Sequence, residues 1–248
     1  MSTIYILWLR QLKRYFRSRS RIIGSLGQPI LFLLALGYGL NPVFARAGEG
    51  NYFQFLAPGV IGMSIIFTSI FSGIEIIWDR QFGFLKETLV APVSRLNIMI
   101  GRTLGGATVA TMQGIVVFLI SMIAGFRPDN WAMIPFVVLI MLLIALLFTA
   151  LGTAIASLLE DMQGFQLIMN FLVMPLFFLS GSLFPLQGVP KILINIARFD
   201  PLSYGVDALR ALLINTTHYG LALDVLVLSL VTTFFLFLGS YFFSKIQI

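Results

Sequence analysis

The sequence predicts an all-α membrane protein, with six transmembrane helices, an N-terminal amphipathic helix and two short re-entrant outer helices before the last span. Three observations predict it. Hydrophobic residues make up 58% of the 248 residues and charged residues only 10%, against roughly half and a quarter in soluble domains. Apolar runs of the about 20 residues that cross a hydrocarbon core recur along the chain. The Lys and Arg residues, whose excess gives a net charge of +6, fall mainly on one side of those runs, as in cytoplasmic loops of membrane proteins. That distribution argues against nucleic acid as the partner. With no Cys and a single His, His218, disulfides and a Cys/His metal site are excluded.

The first stretch, Ile4 to Arg21, reads as an amphipathic helix rather than a span. At about 100° per residue, Ile4, Tyr5, Trp8, Leu9, Leu12, Tyr15 and Phe16 gather on one side and Arg10, Lys13, Arg14 and Arg17 on the other. Such a helix lies in the headgroup layer of an anionic leaflet, or is simply a basic flank that sets topology. Span one covers Ile22 to Leu40 with a kink at Pro29, followed by a polar turn from Asn41 to Asn51. The basic front and Ala45-Arg46-Ala47 mimic a signal peptide, but the apolar run is too long for one. Span two covers Phe55 to Ile77, and a charged segment, Trp78 to Arg102, leads to span three at Thr103 to Ala124.

After a tight turn at Gly125 to Trp131, span four runs from Met133 to Leu159, span five from Phe165 to Phe184 with Pro175 inside it, and span six from Leu223 to Phe243. The segment before span six is too polar to cross and too apolar for an ordinary loop. Ile192 to Phe199 and Leu202 to Ile214 show helical spacing, broken by Asp200-Pro201, and read as two short helices that dip into the outer interface. The organisation is therefore an amphipathic helix over residues 1–21 and one six-helix domain over 22–248, with an inner loop at 78–102 and an outer re-entrant segment at 185–222.

Topology follows from the cations. Arg10, Lys13, Arg14, Arg17, Arg19, Arg21, Arg80, Lys86, Arg95, Arg102 and Lys245 collect on one side, and Arg46, Arg127, Lys191, Arg198 and Arg210 on the other. Both termini are expected in the cytoplasm.

Every span is free of charge at its centre: Glu75 lies near the inner end of span two, Glu160 and Asp161 end span four, and Asp224 opens span six. A carrier driven by an ion gradient needs a buried titratable group or an interrupted helix pair, so such coupling is not expected. No phosphate-binding loop is present either. Gly101-Arg-Thr-Leu-Gly-Gly106 has Ala107 where GxxxxGK[ST] requires Lys, and its glycines suit close helix packing. Energy must then come from a separate subunit. The run Phe82 to Leu89 could receive it, because Phe82, Leu85 and Leu89 share one helical face between charged flanks; a solvated loop resting on the membrane fits the same pattern.

These residues resemble the ABC-2 family of transporter permeases, closest to prokaryotic drug and polysaccharide exporters. The resemblance is carried by the basic amphipathic helix, the six spans and the run Glu75-Ile-Ile-Trp-Asp-Arg-Gln-Phe-Gly-Phe-Leu-Lys-Glu-Thr-Leu-Val-Ala-Pro-Val-Ser-Arg95. Two later runs add to it, Phe178-Leu-Ser-Gly-Ser-Leu-Phe-Pro185 and Phe199-Asp-Pro-Leu-Ser-Tyr-Gly-Val-Asp-Ala-Leu-Arg210. It covers essentially the whole chain. It implies a non-enzymatic permease that works as a dimer, homodimeric or with a related subunit, on two ATPase subunits. The permease itself carries no cofactor, since ATP and Mg belong to the ATPase, and it sits with membrane lipids in a prokaryotic inner membrane with both termini cytoplasmic. The loop after span two would dock into the ATPase through Phe82, Phe84, Leu85, Lys86, Glu87, Thr88, Leu89 and Arg95, while Glu75 would anchor it through Arg80 or a basic residue of the N-terminal helix. The substrate path would run between subunits along spans one, two and five, past Phe67, Phe71, Asn170 and Met174, with Pro175, Leu176, Phe177, Phe178 and Leu179 as its outer gate. The aromatic, weakly polar character of these spans favours a lipophilic drug, a lipid or a lipid-linked substrate over a free glycan. The alternative is a membrane-embedded enzyme or lipid-binding scaffold built on Asp200, Asp207, Arg210 and His218, of which Asp207 and Arg210 stand at ion-pair spacing.

Overall fold

The computed structural model describes residues 3–46, 50–84, 93–186 and 188–245. Among these the chain is all-α, and six helical runs are long and apolar enough to cross a membrane: Ile22–Arg46, Tyr52–Gln81, Arg95–Ile123, Trp131–Leu158, Met162–Leu179 and Leu221–Ser244.

The helices are α1 (Thr3–Arg17), α2 (Arg19–Leu31), α3 (Gly39–Arg46), α4 (Tyr52–Phe71), α5 (Ile74–Gln81), α6 (Arg95–Ile123), α7 (Ile134–Leu158), α8 (Met162–Leu179), α9 (Lys191–Phe199), α10 (Pro201–Ile214) and α11 (Leu221–Ser244). Local signals set their ends. The side chains of Asn51, Ser94, Asp161 and Asp200 accept the backbone N–H of Phe53, Asn97, Gly164 and Leu202, capping α4, α6, α8 and α10. Asn215 closes α10 in the left-handed conformation at φ 51. Inside span one Pro29 has no N–H to donate, and three residues later the ladder passes into a π-helical stretch, Phe32–Tyr38.

Several boundaries differ from the sequence reading. Span one does not end at Leu40; helix continues to Arg46, and Asn41 uses its side chain to accept the N–H of Tyr52 (2.9 Å), so this polar turn of helix is held by the start of span two. Span three begins at Arg95 rather than Thr103 and takes in Arg102. The inner loop is accordingly shorter than 78–102, since α5 reaches Gln81. Span five ends at Leu179, with Ser180 to Phe184 in turns, because Gly181 adopts a positive φ of 73 that a helix cannot continue. The amphipathic helix stops at Arg17 rather than Arg21. It is fastened lengthwise to span three: Trp8 Nε1 donates to Thr108 Oγ1 (3.0 Å) and Tyr15 OH to Gln113 Oε1 (2.7 Å). Gly101 and Gly105 make room, since a Cβ at either would meet Ile4 and Leu7 or Gln11. The apolar face is thereby divided: Tyr15 is buried, whereas Tyr5 and Phe16 stay exposed.

Span two is the axis of the bundle, packed against spans three and four, with span six along span four and α10 wedged between spans two, four and six. Burial follows this order. It covers 72% of the apolar window of span two but only 17%, 22% and 17% of those of spans one, five and six, so the peripheral spans carry the faces left for lipid or partners. Spans two and four cross backbone to backbone: a Cβ on Gly152 would stand 2.6 Å from the Ile70 carbonyl oxygen, and one on Gly73 2.5 Å from that of Gly152. Gly152→Val should therefore cost about 1–3 kcal/mol through overpacking. A melting temperature equal to wild type in the purified protein would show that the crossing tolerates a side chain.

Candidate functional site

Three regions gather side chains that chemistry or docking could use. The first is at the end of the bundle where α1 meets α5 and the start of span three. Glu75 and Asp79 lie one turn apart on α5, Arg10 and Arg14 one turn apart on α1, and the two pairs face each other. Arg10 Nη2 donates to both oxygens of Asp79 at 2.7 and 2.8 Å. Arg14 Nη1 stands 3.4 Å from Glu75 Oε2 and 4.0 Å from Asp79 Oδ1. Arg102, brought in by the early start of span three, donates to Asp79 Oδ2. Glu75, Asp79 and Arg102 are all at most 4% exposed, so these are desolvated charges that depend on their partners in the cluster. Arg80 turns the other way and pairs with Glu160 at 2.7 Å on the surface.

Of the two partners expected for Glu75, the structure gives it a basic residue of the N-terminal helix, Arg14, rather than Arg80; the sequence reads Asp79 and Arg102 as loop and so misses their part in the cluster. The matching one-turn spacing of two acids on α5 and two arginines on α1 was the signal that could have found it. Just below, Phe82 and Phe84 are 74% and 55% exposed, and the Arg10 guanidinium lies 5.5 Å from the Phe84 ring. Arg95 is exposed and donates to the Ser244 carbonyl. The rest of the proposed docking run, Leu85, Lys86, Glu87, Thr88 and Leu89, lies outside the described residues.

The second region is a cavity of about 390 Å³ between spans one and two, walled by Met63, Phe67 and Phe71 and edged with Ser25, Gln28, Ser64 and Thr68. Span five closes against it. Phe71 meets Phe165 edge-on (6.4 Å), and Phe177 meets Phe32 of span one (5.9 Å). The structure brings Phe67, Phe71 and Phe177 to one side of the molecule but turns the other residues named on span five differently. Phe177 is 1% exposed, Leu176 and Leu179 are half-buried, and Asn170, Met174, Pro175 and Phe178 face outward. Gln163 and Gln166 join Asn170 on that outward face.

The third region is the opposite end, where α10 meets the start of span two and the end of span five. Here the expected Asp207–Arg210 ion pair is replaced by separate partners. Asp207 accepts the Thr217 hydroxyl and the backbone N–H groups of His218 and Tyr219 at 2.8–2.9 Å, fixing the loop into span six. Arg210 donates to the carbonyls of Gly181 (2.9 Å) and Ser182 (3.1 Å) and lies 3.7 Å over the Phe55 ring. It caps the end of span five, because those carbonyls have left the helix and need donors. Burial lowers its pKa to about 10, so it stays charged at neutral pH. Burial likewise raises that of Asp200 to about 8, against the pull of the Leu202 N–H. Ser180, Gly181 and Ser182 are buried within the chain against span two, where Gly59 leaves no room for a Cβ beside Ser182. They are therefore not a surface for close approach of a second copy. Asp207 and Arg210 are tied to backbone groups here, and with His218 they line a cavity of about 440 Å³.

Comparison with known proteins fits this geometry to a transport system. The chain matches the model of the family described as ABC-2 type transporter over residues 2–214. It is 27% identical over 212 residues to Nodulation protein J of Rhizobium leguminosarum bv. trifolii, spanning 85% of this chain and 78% of that protein. Nodulation protein J of Neorhizobium galegae is 24% identical over 237 residues, spanning 92% and 90%. A protein of Cyanophora paradoxa named as a transport permease, ycf38, is 28% identical over 214 residues, spanning 84% and 73%.

Proposed function

The chain belongs to the ABC-2 type transporter family, and from that premise we propose that it is the permease subunit of an ATP-driven exporter. In this reading two copies, or one copy and a related subunit, sit on two ATPase subunits that bind ATP and Mg. The substrate is a lipophilic drug, a lipid or a lipid-linked compound taken from the cytoplasm or inner leaflet. The membrane is the prokaryotic inner membrane, with both termini in the cytoplasm.

One observation carries the proposal. Asn170, at the middle of span five, faces outward with Gln166 and Gln163 one and two turns away. An amide facing hydrocarbon without a partner costs several kcal/mol, so this face is covered by a second copy or lines a hydrated route. The cavity between spans one and two is apolar on its Phe67–Phe71 wall and hydrogen-bonding on its Ser25–Gln28 edge, which suits an amphiphile entering from the leaflet. Phe177 against Phe32 then closes the route toward the outside, and Pro175, on the exposed side of the helix, is the place where span five can bend.

The natural absence of Cys permits a clean test. Asn170→Cys and Phe178→Cys should crosslink between copies in the nucleotide-free complex, whereas Phe177→Cys, facing inward, should not. Crosslinking confined to positions on another span would remove span five from the pathway and the interface together.

A further inference from the structure

A second feature of the inner side is independent of the ion cluster's internal pairing. Where α1 gives way to α2 at Ser18, a cleft of about 770 Å³ is lined by Arg10, Lys13, Arg14, Arg17 and Arg19, with Phe84 at its rim, and no carboxylate borders it among the described residues. Arg10 and Arg14 reach Asp79 and Glu75 on their inner side, yet both keep more than a third of their side chains exposed, 36% and 37%. Lys13, Arg17 and Arg19 are exposed and have no ion-pair partner among the described residues. Lys13, Arg17 and Arg19 thus add uncompensated positive charge beside Arg10 and Arg14, and an anion in the cleft would neutralise it.

Position identifies the anion. Arg19 and Ser20 stand within one turn of Ile22, where the first apolar span begins, so the cleft opens at the depth of lipid headgroups. Phe84, at the rim of the cleft, is 55% exposed. A ligand arriving along the bilayer can place a phosphate among the guanidinium groups and keep its tails beside span one. Guanidinium binds phosphate in a two-pronged manner.

We propose that this cleft holds the headgroup of an anionic phospholipid, a resident lipid rather than transported cargo. The proposal rests on the membrane-spanning reading but not on the identity of the substrate or the ATPase. The phosphate draws on the outer side of Arg10 and Arg14 while Asp79 and Glu75 hold the inner side. Lipid occupancy therefore braces α1 against spans two and three, and the charge of the inner leaflet becomes a term in the stability of the inner end.

The test uses the purified full chain in nanodiscs of phosphatidylcholine alone or mixed with phosphatidylglycerol, comparing melting temperature and the phosphatidylglycerol retained in native mass spectra. Wild type should melt higher with phosphatidylglycerol and lose that gain as salt rises. Lys13→Gln/Arg17→Gln/Arg19→Gln should retain about fivefold less of the lipid per cation removed and lose the shift. Arg17→Lys/Arg19→Lys, which keeps the charge, should preserve it. Melting in phosphatidylcholine alone reports folding of each variant, and if the triple variant fails there, Arg19→Gln carries the same comparison. The proposal is overturned if wild type shows no phosphatidylglycerol-dependent shift, or if inorganic phosphate reproduces the shift in phosphatidylcholine discs. It is equally overturned if the triple variant keeps the shift and instead loses capture of its ATPase, which would make the cleft a protein-docking surface. Failure of the span-five crosslinks would leave this result unaffected.

Discussion

Asp79→Asn is expected to destabilise the chain by about 3–5 kcal/mol, the cost of leaving a buried cation without its counter-charge. Asp79 is 2% exposed and Arg102 4%, and Asp79 is the one residue that meets Arg10, Arg14 and Arg102 together. Asparagine keeps the shape and one acceptor oxygen, so the loss isolates the charge. The variant should melt well below wild type in nanodiscs of fixed composition. Adding Arg102→Met removes the stranded cation and fills its space with an apolar side chain, so the double variant should recover a large part of the loss. Arg102→Met alone should cost less than Asp79→Asn, because Arg10 continues to neutralise Asp79. A single variant as stable as wild type, or a double variant worse than the sum of the two, would mean that water or lipid already screens this cluster.

The same cluster explains where sequence reading succeeded and where it stopped. Six spans were legible because twenty apolar residues in a row have one cheap solution in a bilayer, and the two outer helices were legible from their spacing around Asp200-Pro201. Boundaries failed wherever a polar residue is satisfied by a distant one. Arg102 reads as loop on any hydropathy measure, yet it lies inside span three because Asp79, twenty-three positions earlier, is buried with it. Asn41 reads as turn, yet its helix continues because its side chain holds the Tyr52 N–H. Ser180 to Ser182 carry no local sign of which way they face, and only the carbonyl-capping Arg210 and the groove at Gly59 show that they face inward. Hydropathy and period report the solvent around each residue; partner choice across the fold is not local information. On span five, the direction in which each side chain points was not legible. Phe177 and Phe178 are neighbours in sequence and opposite in exposure, at 1% and 45%.

Phe82→Asp/Phe84→Asp is expected to separate the permease from its ATPase while leaving the bundle folded. Both rings are mostly exposed, so little packing is lost when they are removed, and surface substitutions of this kind usually change stability by well under 1 kcal/mol. A Phe side chain fully buried in a partner's groove contributes about 2 kcal/mol, and two of them imply a loss of affinity on the order of a hundredfold or more. The position of Phe84 adds a mechanical argument. Its ring lies 5.5 Å from the Arg10 guanidinium, which in turn holds Asp79 at the end of span two. A push on this tip is thus delivered to the buried charges that join α1 to spans two and three, and from there to the span that forms the axis of the bundle. The double variant should melt like wild type, fail to retain the ATPase in a pulldown, and show hydrolysis that substrate no longer stimulates. If it retains the ATPase at wild-type levels and transports normally, the two rings rest on the membrane, and coupling must enter through another surface of the inner face.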